Sequence, residues 1–143
     1  MKLMSWLDEK LAERKATQEK RALIQAEAVN IYQALWDEIV QITDEAKQKG
    51  FDVSRNGCLQ DRIVRRSVPP PLGRRTQRPL EFHLVLSQDK TLIETTGDCE
   101  VQFFLDLCHD GIVCLRDKLG KEVTPQRAAI SILDPFLFPE PLS

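Results

Sequence analysis

Histidine is scarce in this chain, with two in 143 residues. General acid–base chemistry near neutral pH would therefore fall to carboxylates tuned by their surroundings. Aromatic residues make up only 6%. None of them lies between Arg62 and Leu80, so the most basic stretch has no ring on which a nucleobase could stack. There are six glycines, and no GxGxxG, GxxxxGK[ST], GxSxG or HExxH among them. That removes the familiar phosphate-cradling loops, the nucleophile elbow and the helical zinc motif. No run of 18 apolar residues occurs, so no transmembrane helix is expected. The opening MKLMSWLDEKLAER has neither the apolar segment nor the small-residue cleavage site of a secretory signal. A cytoplasmic address is the expectation. In that reducing setting Cys58, Cys99, Cys108 and Cys114 are expected as free thiols.

What is present is a charge layout more uneven than the net charge of −2 suggests. Arg62 to Leu80, RIVRRSVPPPLGRRTQRPL, holds six arginines and no acid. The residues after Leu80 hold five basic and eleven acidic side chains. An acidic pI near 5.7 opposes a general nucleic-acid binder, while the arginine block keeps a local anion contact open.

Ser5 to Lys49 reads as one helix. It has no proline or glycine, and alanine, glutamate, lysine, glutamine and leucine dominate it. Gly50 is its stop. Ile24, Ala28, Ile31, Leu35, Ile39, Ile42 and Ala46 step by three or four and mark a core face, widened by Val29, Tyr32, Trp36 and Val40. The half before residue 22 has no such face. About 45 helical residues would span roughly 65 Å, against a radius of gyration of roughly 14 Å for a compact domain of this size. One end must overhang, kink or pack on another molecule. Leu3, Leu7 and Leu11 step by four there, so self-association through them is expected. A membrane-surface anchor is opposed by Asp8, Glu9 and Glu13.

Beyond residue 57 the period becomes two. Phe82, Leu84 and Leu86, then Thr91, Ile93 and Thr95, then Val101, Phe103, Leu105 and Leu107, read as one face of successive strands, with Ile112 to Arg116 as the fourth. Turns fall at Ser87–Lys90, Gly97–Cys99 and Asp110–Gly111, and a leading strand is expected near Leu59 to Val68. Thr124 followed by Pro125 marks the start of a short helix, expected to stop at Asp134 because proline follows. The tail PFLFPEPLS is too apolar to hang free. Phe136 and Phe138 are expected to pack along the domain or on a second copy. The expected fold is α+β: a long N-terminal helix on an antiparallel meander of four or five strands, a short C-terminal helix and an apolar proline-rich tail. Residues 1–21 form a protruding or partner-packed extension, and 22–143 a single domain.

Cys108, His109 and Cys114 suggest metal ligands, and the hairpin register tests them. A two-residue turn at Asp110-Gly111 would point the two cysteines to opposite faces and drive Arg116 into the core. A three-residue loop His109-Asp110-Gly111, with Gly111 left-handed, pairs Cys108 with Ile112 and sets Cys114 diagonally on the same face. The second register is preferred because it gathers Leu105, Leu107, Val113 and Leu115. Two cysteines are still short of a four-ligand zinc set. No metal or cofactor is expected. His83, Cys108 and Asp106 share the outer sheet face without a nucleophile turn, so no catalytic residue is assigned.

Arg62, Arg65 and Arg66 belong to a strand, with Glu81, Glu94 and Glu100 as possible cross-strand partners. Arg74, Arg75 and Arg78 lie past the prolines at a loop tip and are the candidates for contact with an anion or a partner. Three readings follow. A non-enzymatic, self-associating interaction module is favoured. Phosphate contact to nucleic acid through Arg74, Arg75 and Arg78, and a small-ligand cavity between sheet and helix, are the alternatives.

Overall fold

The computed structural model describes residues 5–58, 61–67, 79–108 and 110–139, without the side chain of Cys58. One helix, α1, runs from Trp6 to Gln48. Its start is set by Ser5, whose side-chain oxygen accepts a hydrogen bond from the Asp8 amide at 3.1 Å, and Asp8 and Glu9 sit favourably at the positive end of the helix dipole. Its end is a Schellman motif. The Phe51 amide donates to the Ala46 carbonyl at 3.0 Å and the Gly50 amide to Lys47 at 3.1 Å, with Gly50 at φ +99. Glycine fills that left-handed position without the clash a Cβ would bring.

Seven strands follow, β1 (Val53–Cys58), β2 (Asp61–Arg66), β3 (Leu80–Leu86), β4 (Leu92–Gly97), β5 (Gln102–Leu107), β6 (Val113–Arg116) and β7 (Glu122–Val123). They pair antiparallel in chain order, a pure meander. A second helix, α2 (Pro125–Leu137), closes the chain, capped by the Thr124 hydroxyl on the Arg127 amide. The general α+β architecture is therefore as expected, but the strand count is not. Among the described residues the sheet has seven strands, not four or five. Among the described side chains of β1 only Val53 is an apolar core residue, which leaves no alternation for a sequence argument to find. It is held instead by Arg55, whose guanidinium donates to the Thr43 hydroxyl and the Asp44 carboxylate, each at 2.7 Å. That bond also explains why Thr43 is buried on α1: its own hydroxyl donates back to Ile39 at 2.8 Å.

Both helices cover one face of the sheet. Ile24, Ala28, Tyr32, Leu35 and Ile39 of α1 and Ala128, Ala129, Ile132, Leu133, Phe136 and Leu137 of α2 share a core with Val64, Phe82, Leu84, Ile93, Phe103, Leu105 and Leu115. Each large side chain removed from water contributes about 1.5–3 kcal/mol. Phe82 meets Phe136 edge-to-face, centroids 4.8 Å apart. Tyr32 donates its hydroxyl to the Leu84 carbonyl, and burial pushes its pKa up to about 12.

The second correction is the end of α2. It runs through Pro135 to Leu137 instead of stopping at Asp134. The proline forfeits one backbone bond, to Ser131, but both residues are on the solvent side, so water can serve the freed carbonyl. Burial of Phe136 and Leu137 outweighs the loss. Phe136 is thus a core residue of its own chain, while Phe138 is 64% exposed and rests edge-on against Phe51. The rest of the expected tail, with Leu142, lies outside the described residues. Among the described residues no helix is long and apolar enough to cross a membrane.

Candidate functional site

The first buried residue of α1 is Ile24; from Trp6 to Leu23 every residue is exposed. This arm includes Trp6 at 69% exposure, Leu7 at 58% and Leu11 at 56%. Those side chains, with Lys10, Arg14 and Gln18, line a shallow concavity of about 750 Å³ along the arm. Leu3 falls outside the described residues. Leu7, Leu11, Arg14 and Gln18 step by 4, 3 and 4, the spacing of a narrow helix seam. Near its root the arm is tied down by Lys20, 3.0 Å from Asp106, and by Gln25, which donates to the Asp89 carbonyl at 3.0 Å. The Lys20 ammonium is the chief reason the Asp106 carboxyl titrates below its ordinary range.

The arginine block divides. Arg74, Arg75 and Arg78 lie outside the described residues. Arg62, Arg65 and Arg66 are all engaged, and not chiefly by the acids expected. Val64 points to the core, so Arg62 and Arg66, two residues either side, emerge on the helix-covered face. Arg62 lies over the rings of Tyr32 and Trp36, 5.3 Å from each centroid, and donates to Gln33 at 2.6 Å. Arg66 lies over Phe51 at 5.0 Å and donates to the carbonyls of Phe136 at 3.0 Å and Leu137 at 2.6 Å. The last turn of α2 has no basic residue of its own, so Arg66 supplies the positive charge that its carbonyl end favours. Only Arg65 makes the foreseen cross-strand pair, 2.6 Å from Glu81.

That pair continues across the sheet face opposite the helices. His83 is 2.9 Å from Glu81 through Nε2 and 3.1 Å from Asp61 through Nδ1. A neutral imidazole has one N–H and can donate to only one carboxylate; the imidazolium serves both. The bond to Asp61 is the larger cause of a raised His83 pKa, with Glu81 adding to it against partial burial. Arg65 first, then His83, hold the Glu81 carboxyl below its ordinary range. The signs give a window. Stability from Glu81 is present above its ordinary 4.5 and lost as pH falls through the lowered value. Stability from His83 is present below its ordinary 6.5 and lost as pH rises through the raised value. Both operate together between about pH 4.5 and 6.5. NMR titration of the His83 ring is expected to give a midpoint above 6.5, and Asp61→Asn to lower it. An unchanged midpoint in that variant would remove Asp61 as the cause.

His83 is therefore spoken for by Asp61 and Glu81, while Asp106 pairs with Lys20 and with Arg116 at 3.2 Å. The His83, Cys108 and Asp106 set is not brought together as a catalytic unit. The expectation of free thiols is corrected: Cys108 and Cys114 form a disulfide with Cα atoms 6.2 Å apart. The loop register explains it. Cys108 donates its amide to Ile112 and Gly111 adopts φ +81, so the loop is the three-residue one and the two cysteines share a face. Cα atoms at that distance fall inside the range a disulfide spans. Cys99 is a free, buried thiol whose sulfur is held between Thr95 and the Ile132 carbonyl. The space between α1 and the sheet is filled by Tyr32, Leu35, Ile39, Phe82 and Leu84, none more than 2% exposed, which counts against a ligand cavity there. The chain matches no family model, no curated protein and no solved structure.

Proposed function

We propose that this protein is a non-enzymatic assembly module that pairs with a second copy of itself through the helical arm, residues 6–21. The observation that carries the proposal is an arm of helix that no other described residue covers, with Trp6, Leu7 and Leu11 exposed on it. A lone helix of this length is marginal in water, because each turn gains little beyond propensity. Packing against a partner supplies what is missing.

The charges say how the copies meet. Residues 8–15 read Asp, Glu, Lys, Leu, Ala, Glu, Arg, Lys. Laid antiparallel on itself about a twofold between Leu11 and Ala12, the segment sets Asp8 at the height of Lys15, Glu9 at Arg14 and Lys10 at Glu13. At each of these heights the two charges are opposite in sign. A parallel pair would set like against like. Asp8 and Lys15 are seven residues apart and so lie on one side of the seam, where antiparallel helices bring such flanking positions together. Leu11 then packs on Leu11 of the second copy, and Leu7 on the aliphatic stem of its Arg14. One patch serves both partners, as a twofold dimer requires.

Sedimentation equilibrium of the full chain and of a chain lacking residues 1–21 tests the reading. The full chain is expected to self-associate and the shortened one to be a folded monomer. Monomers in both would end the proposal.

A further inference from the structure

We infer that Cys108, Cys114 and Glu122 form a redox-gated site for a thiophilic divalent cation, closed as the disulfide and open to Zn²⁺ when reduced. The two sulfurs and a Glu122 carboxylate oxygen all lie within 4.8 Å of one another. The sheet puts them there. Cys108 and Cys114 sit diagonally across the hairpin joining β5 and β6, and Glu122 pairs with Arg116 on the next strand, two residues from Cys114 on the same face. A concavity of about 230 Å³ opens beside the sulfurs, bordered by Asp110, Ile112, Glu122 and Thr124. It has room for an ion and a water to complete a tetrahedral set of two thiolates, one carboxylate and that water.

The chemistry balances with a small-molecule dithiol as reductant. Its thiolate attacks one sulfur, and its second thiol releases the product as a cyclic disulfide. Two electrons pass to the protein, which gains two thiols. Zn²⁺ then binds as both thiols give up their protons, so binding releases two protons and tightens with pH. In a tetrahedral zinc site, with Zn–S near 2.3 Å, the sulfurs stand roughly 3.8 Å apart, a separation that a disulfide forbids. Metal and disulfide are therefore mutually exclusive on the same two cysteines. A short hairpin with Cα atoms 6.2 Å apart holds the pair close enough for either.

The test uses the full chain with Cys58→Ser and Cys99→Ser, so that only this pair reports, and Co²⁺ as the probe, competed by Zn²⁺. After anaerobic reduction, one Co²⁺ per chain is expected, with a thiolate-to-cobalt charge-transfer band that Zn²⁺ abolishes. Oxidised protein should show no band. Cys108→Ser or Cys114→Ser should remove it, and Glu122→Gln, an exposed position that leaves the hairpin intact, should weaken Co²⁺ binding about tenfold. No charge-transfer band in the reduced protein would overturn the site. So would a band of equal strength in the oxidised protein, or affinity unmoved by Glu122→Gln.

Discussion

Phe82→Ala is expected to lower the unfolding free energy by about 3–5 kcal/mol, against total stabilities of about 5–15 kcal/mol for domains of this kind. Phe82 sits on β3, near the middle of the seven strands, and is wholly buried. It faces both helices' layer and meets Phe136 of α2 edge-to-face. Truncation loses the transfer free energy of the ring, opens a cavity between two elements far apart in sequence and removes one of the contacts that dock α2. Phe104→Ala supplies the contrast. Phe104 is one strand position from the core residue Phe103 but points to the face opposite the helices and is 42% exposed. Its loss should cost below about 1 kcal/mol. Urea unfolding of the two variants separates burial from strand propensity, because both remove a phenyl ring from a strand. Equal losses would mean that the face opposite the helices is packed as well.

The contrast between those two rings also marks how far the sequence could be read. The alternation of Phe82, Leu84 and Leu86 and the turns at Ser87–Lys90, Gly97–Cys99 and Asp110–Gly111 were enough for β3 to β6 and their antiparallel order. The hairpin register followed from one packing argument, that Arg116 must point outward. The edge strands escaped, because β1 is held by Arg55 reaching into the helix and β7 is only two residues long. Neither device leaves an apolar period. The fate of the arginines was legible in part. That Arg65 would face Glu81 follows from register, but the aromatic seats of Arg62 and Arg66 depend on which strand face meets α1 and where α2 ends. By local rule Pro135 is a stop, and tertiary burial of Phe136 overrides it. The disulfide was within reach of the same register that set the cysteines on one face; the assumed reducing compartment hid it.

Leu11→Asp in the full chain is expected to weaken self-association at least about a hundredfold. In the proposed twofold pair each copy's Leu11 would cover the other's, so one substitution would remove two leucines from the seam. At about 1.5 kcal/mol or more per buried leucine the loss reaches roughly 3 kcal/mol before the two new carboxylates repel each other. Direction is a separate question, and a charge swap decides it. Asp8→Lys alone sets two lysines against two lysines in the antiparallel pair, and Lys15→Asp alone sets two aspartates against two. Each should weaken association by about tenfold, since exposed pairs contribute only about 0.2–1 kcal/mol and each reversal turns two attractions into two repulsions. Mixed in equal amounts, the two variants form a heterodimer in which every facing charge is again opposite. Sedimentation of the mixture should recover the wild-type constant, and the recovery should fade in molar salt. A parallel pair predicts otherwise: each variant alone would exchange one like-charge contact for another and lose little, and the mixture would associate more tightly than the wild type. Asp8 also stabilises the first helical turn of its own chain, so Asp8→Lys carries a local cost. Lys15→Asp does not touch that turn, and its rescue by the other variant is the cleaner arm of the comparison.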